Sequence, residues 1–321
     1  MVKFINAQWN PRRPAHLPIP RQGTSLVYAA NTNQVLLFGG VGPPESGTLN
    51  DMWAWDGSDW SEVANTGAPP PRAYAMMAYD HAQNAVVLFG GVDESGTALG
   101  DTWTWDGGGW TRRETNAALA ARMNGTMAYD TGRNEVVLFG GQDRQSRQSL
   151  WYGDTWVWDG SEWIVRAPKT SPSPRSGGSM VWDATTSSLL LFGGGSGYPM
   201  GDTWLWDGLI WRQQLIANSP PPRIGAGLIS DSADKSIVLF GGIGFGSTAE
   251  STDLQDIWIW EAGEWHQSSA SPGPLGGTAK ATVYDPIDGS ILLLRSLANK
   301  VYDSTGHVST VKTTAEMWDL R

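Results

Sequence analysis

An all-β chain of six repeats, each with four short antiparallel strands, is what this sequence predicts, and three observations carry the prediction. An arginine recurs as Arg21, Arg72, Arg122, Arg175 and Arg223, with Gly277 in the sixth register. Seven residues after each stands Tyr28, Tyr79, Tyr129, Trp182, Ser230 or Tyr284, so the repeat advances by 51, 50, 53, 48 and 54 residues. Each pass also closes an apolar run on a glycine pair and then sets tryptophans two residues apart, as in "VLLFGG" and "DMWAWDGSDW" between Val35 and Trp60.

The elements follow in order along one repeat. "MMAYD" and "AVVLF" are short apolar runs suited to the two inner strands. "DTWTWDG" places Trp103 and Trp105 on one face of a third strand, because side chains alternate with period two. The segment after "GGGW" supplies the outer strand, and no stretch asks for a helix. Six four-stranded sheets arranged about an axis make a six-bladed β-propeller, which protects its sheet edges by radial repetition. The expected blade cores are 21–65, 72–116, 122–168, 175–217, 223–270 and 277–321, in a single domain spanning 1–321. Trp9 precedes Arg21 by the offset that separates Trp60 from Arg72, so an N-terminal strand at 2–10 is expected to complete blade 6 and close the ring with the C-terminal segment, with His307 competing for that register.

"LFGG" followed by "DTWxWDGxxW" resembles the kelch repeat over nearly the whole chain. The resemblance implies a kelch-type propeller closed by its termini, in a family that ranges from protein-interaction modules to a few enzymes. Kelch-like galactose oxidases use a cysteine-modified tyrosine and histidines on copper, and this chain has no cysteine. Plant specifier proteins resemble the fold and use a spaced Glu, Asp and His set for iron, but no histidine follows Glu250 and Asp253 at a comparable spacing. No metal and no cofactor is therefore expected.

A residue that recurs in register in every blade does the same job each time, so its first reading is architectural. The tryptophans of the third and fourth strands are blade-packing residues on that test. Asp51, Asp101, Asp154, Asp202 and Asp256 recur with the arginines, and blade 6, with Gly277 and Ala298 in the two registers, is read as lacking both. Joint loss points to a buried bidentate Arg–Asp contact. Lys280 is the one cation near the expected vacancy and is read as a replacement for the missing guanidinium.

Function is expected on the rim that carries the long, unlike loops between the second and third strands, since variable loops on a rigid scaffold are where function is usually placed. The aromatics outside the repeat register are Tyr74, Trp151, Tyr152, Tyr198 and Phe245 on that rim, and Trp318 in the tail. With Arg144 and Arg147 they form the candidate binding set: stacking faces plus guanidinium groups suited to a carboxylate, phosphate or acidic partner. Asp93, Glu94, His16 and Tyr152 are the candidates for acid, base or charge-stabilising work.

A net charge of −10 disfavours a phosphate backbone as partner, and no signal-like or membrane-spanning apolar run is visible, so a cytoplasmic monomer is expected. The reading is a recognition module for a small ligand, glycan or peptide, with a protein partner as a further option. The alternative is a cofactor-independent isomerase, cyclase, lyase or hydrolase using the same rim.

Overall fold

The computed structural model describes residues 7–115, 118–145, 148–231, 235–245, 250–270, 281–302 and 308–321. Among these residues there is no helix, and the strands form six four-stranded antiparallel sheets with two further two-stranded hairpins. Blade 1 runs Ser25–Ala29, Gln34–Val41, Thr48–Trp55 and Trp60–Val63 from the axis outward. The other inner strands are Met76–Asp80, Thr126–Asp130, Ser179–Asp183, Gly227–Asp231 and Thr282–Asp285. This is a six-bladed β-propeller.

Six apolar clusters, each shared by two neighbouring blades, form the core. The second strands of blades 2 to 5 are wholly buried, which explains their continuous apolar runs. At five of the six joints a phenylalanine of one blade meets the outer-strand tryptophan of the next, as Phe38 with Trp110 at 5.2 Å and Phe89 with Trp163 at 5.6 Å between ring centroids, while Leu294 shares the cluster of Trp60 at the sixth. The indole N–H of Trp163, Trp211 and Trp265 then donates to Thr102, Thr155 and Thr203 of the preceding blade, each at 2.9 Å. The threonine of the "DTW" tripeptide is thus an inter-blade acceptor.

The ring closes through Trp9–Arg12, which pairs antiparallel with Val308–Leu320 in the register Trp9↔Leu320 to Arg12↔Met317. Trp9 also packs on Phe240 of blade 5 at 5.0 Å, as the other outer tryptophans pack on their neighbours. His307, the competing residue, lies outside the described residues. Arg12 and Arg321 both bind Asp288 and Asp319 and tie the two ends to blade 6.

Blade 6 corrects the sequence reading in two places. Its second and third strands are long, Ser290–Tyr302 and Val308–Leu320, and their pairing sets Leu293 opposite Trp318, as Leu37 stands opposite Trp53 in blade 1. Trp318 is therefore a repeat tryptophan and not a spare aromatic. The acid two residues before it is Glu316, which accepts hydrogen bonds from Trp318 Nε1 and Arg295 Nε, both at 3.1 Å. Ala298 does not hold the acidic register; it pairs with Thr313 far along the same hairpin. The cation is Arg295, from the adjacent strand, while Lys280 and Gly277 lie outside the described residues.

Candidate functional site

The Arg–Asp pairs set the height of the loop rim. Arg122 donates from Nη1 and Nη2 to the two carboxylate oxygens of Asp154 at 2.6 and 2.9 Å, from Nη1 to Gly140 O, and from Nε to Ala120 O. The same set recurs with Arg21–Asp51, Arg72–Asp101, Arg175–Asp202 and Arg223–Asp256. Burial pushes each of these aspartates up, but the arginine and the indole N–H two residues on outweigh it and hold each below the ordinary carboxylate value. These acids are structural.

Two residues past each arginine, the chain takes a left-handed turn at the channel mouth: Gly23, Tyr74, Asn124, Gly177 and Gly225 have φ of 65°, 56°, 60°, 69° and 70°. Their backbones are strung together, with Tyr74 N donating to Gly23 O at 2.6 Å, Asn124 N to Tyr74 O at 2.9 Å, Gly177 N to Asn124 O and Gly225 N to Gly177 O, both at 2.8 Å. Tyr74 alone among the five carries a large side chain in this backbone region, which a bulky residue seldom adopts. Its ring lies over Gly23, where a β-carbon would stand 2.8 Å from it. The signal for this position was in the register, two residues after Arg72.

Beside Tyr74 a cleft of about 420 Å³ opens between the loops of blades 1, 2 and 3. Pro43 and Pro44 form one wall, Asp93 and Glu94 another, and Met123 and Arg144 complete it. The blade-1 loop is a tight turn closed by Gly42 N to Gly47 O at 2.9 Å. Glu94 reaches across to it, its carboxylate 3.1 Å from where a β-carbon on Gly47 would be. Asp93 is held by its own loop: Oδ1 accepts from Ser95 Oγ at 2.6 Å and from the N–H groups of Ser95 and Thr97 at 2.9 Å, the serine hydroxyl foremost in keeping it ionised below its ordinary value. That carboxylate staples the loop. Arg144 sits on the hairpin Gln142–Gln145 with Gln148–Trp151, exposed where its neighbour Asp143 is buried. Neither Arg144 nor Glu94 has an ion-pair partner among the described residues.

The cleft thus gathers Tyr74, Asp93, Glu94 and Arg144 from the predicted set, and the other candidates fall elsewhere. Tyr152 stacks on the Arg122 guanidinium, 3.9 Å from ring centroid to Cζ, and donates to Ala121 O at 3.4 Å. It braces an Arg–Asp pair, and burial pushes its hydroxyl up. Trp151 ends the blade-3 hairpin opposite Gln142 and is half-buried. Tyr198 and Phe245 form an edge-to-face pair at 6.2 Å, 76% and 44% exposed, above blades 4 and 5. Arg147 lies outside the described residues. His16, expected on this rim, is bound by Asp59 through its backbone N–H at 2.8 Å and Nδ1 at 2.7 Å. Asp59 belongs to the turn between the third and outer strands of blade 1, which the strand order puts on the opposite rim. The connection entering blade 1 drapes down the outer strand instead of crossing above it.

Among the described residues, no group of three histidines, aspartates or glutamates could hold a metal ion. The sequence matches the KLHDC2/KLHL20/DRC7 Kelch-repeats domain over residues 2–164. No curated protein matches the chain.

Proposed function

The chain belongs to the kelch-repeat propeller family, and on that premise we propose that it is a recognition module whose ligand seats in the long-loop cleft between blades 1, 2 and 3. The observation that carries the reading is the cleft itself, where Tyr74, held in a costly backbone conformation, adjoins Arg144 and Glu94, neither of which has an ion-pair partner among the described residues. Arg144 offers a planar pair of donors to a carboxylate, while Glu94 accepts from a donor or cation at the far end. Tyr74, Pro43 and Pro44 offer an apolar wall to the body between them. The ligand class that fits is a short peptide or small organic acid with an apolar middle.

Binding rather than proton transfer is favoured because Asp93, the acid most firmly placed in the cleft, accepts three hydrogen bonds from its own loop. The exposed aromatics Tyr198 and Phe245 extend the same rim and give a larger partner a second foothold. The test is a thermal-shift screen of short peptides and small carboxylic acids against the wild type, Tyr74→Asn and Arg144→Ala. A ligand at a hundred times its Kd adds about 2.7 kcal/mol of stability. Stabilisation of the wild type that both variants lose supports the reading; hits untouched by both variants contradict it.

A further inference from the structure

The central channel holds a cavity of about 680 Å³ whose second mouth opens among the short turns. The wall there comes from the penultimate residue of the inner strands, aromatic as Tyr28, Tyr79, Tyr129, Trp182 and Tyr284 in five blades and Ser230 in blade 5. Unlike the recurrent tryptophans sealed between blades, four of these five are only partly buried. Their rings are fixed in place. Tyr28 and Tyr129 donate to Asn33 and Asn134 of their own turns at 2.6 and 3.1 Å. His81 wedges between Tyr79 and Tyr129, with ring centroids 4.8 and 5.0 Å away. Trp182 carries the arc onward to Gly132, where a β-carbon would stand 3.0 Å from its ring.

Behind this collar the next residue of each inner strand is a buried aspartate in blades 2 to 6: Asp80, Asp130, Asp183, Asp231 and Asp285. Arg133 pairs with Asp130 at 2.9 Å. The hydroxyls of Tyr28 and Tyr79 feel the setting, raised first by burial and further by the charges of Asp285 and Asp80. Aromatic rings with carboxylates behind them attract a cation desolvated among them, whereas a neutral molecule of the same shape gains only buried area.

We propose that the short-turn mouth of the channel is a second binding site, for an organic cation of the quaternary or alkylated ammonium class. It lies at the far end of the channel from Tyr74, which the two cavities share, and Asp93, Glu94 and Arg144 of the long-loop cleft do not line it. The test is calorimetric titration with choline and with its neutral isostere 3,3-dimethyl-1-butanol. The proposal expects saturable choline binding at least ten-fold tighter than the alcohol, weakened ten-fold or more in Tyr129→Leu and in Trp182→Leu. Tyr129→Phe keeps the ring and should keep the binding, which separates loss of the site from loss of the fold. Arg144→Ala should bind choline as the wild type does. No saturable choline heat, equal affinity for the alcohol, or binding retained in both leucine variants would overturn it.

Discussion

Four of the five donors of Arg21, Arg72, Arg122 and Arg223 are used, two on the aspartate, one on a glycine carbonyl and one on the carbonyl two residues before, and Arg175 places its fifth on Ser173 Oγ at 3.1 Å. Removing one partner of such a pair leaves the other charge stranded, so Arg122→Met should cost about 3–5 kcal/mol in urea unfolding. Arg122→Lys should recover little, because an ammonium cannot span both carboxylate oxygens. The tryptophan and threonine contacts make a finer test. Thr102→Val and Thr155→Val keep the shape but leave the indole N–H of Trp163 or Trp211 buried without an acceptor, and each should lose about 1–2 kcal/mol. Blade 1, with Met52 in place of that threonine, shows the defect already: the indole N–H of Trp110 lies in the cluster containing Met52 and has no hydrogen-bond partner among the described residues. The Arg–Asp contact was legible in the sequence because both members recur in register and blade 6 has neither at Gly277 and Ala298, although Arg295 and Glu316 take that place in the fold. Tyr74 was legible as an aromatic out of place, whereas its left-handed backbone shows only in the register it shares with Gly23, Asn124, Gly177 and Gly225.

At the scale of the element, closure of blade 6 depends on four residues of N-terminal strand, Trp9–Arg12, laid against the end of the chain. Trp9 packs in the cluster joining blades 5 and 6, so Trp9→Ala should cost about 3–5 kcal/mol, while the exposed Asn10→Ala should stay within about 0.5 kcal/mol. Chemical denaturation of the two variants side by side checks this. The N-terminal closure was readable from the offset of Trp9 to Arg21, because a propeller repeats its offsets. The C-terminal half of the blade was not, because the third strand arrives late, after a hairpin longer than any other in the ring. "Glu316-Met317-Trp318" repeats "Asp51-Met52-Trp53" with one methylene added, and that tripeptide was the available signal. His16 escaped for a related reason: strand order says which rim a connection joins, not how far it drapes down the blade.

Across the whole molecule, five aspartates held below their ordinary value stabilise the fold above the ordinary aspartate range, and this stability is lost as pH falls through their lowered values. Asp80, Asp285 and Glu135, raised chiefly by burial, act in the opposite sense and gain as they protonate. Stability should therefore be nearly level from neutral pH to about pH 5 and fall below about pH 4, as urea midpoints across that range would show. Asp101→Asn should flatten the acid limb. The blades differ most in their long loops, and the proposed binding site on that rim is the cleft beside Tyr74. Hydrogen exchange on the protein with its most stabilising peptide or organic acid bound tests this most directly. Added protection is expected in 41–48, 92–98 and 142–145 and should be lost in Arg144→Ala; protection confined to the short turns, or spread evenly over all six blades, would contradict the proposed site.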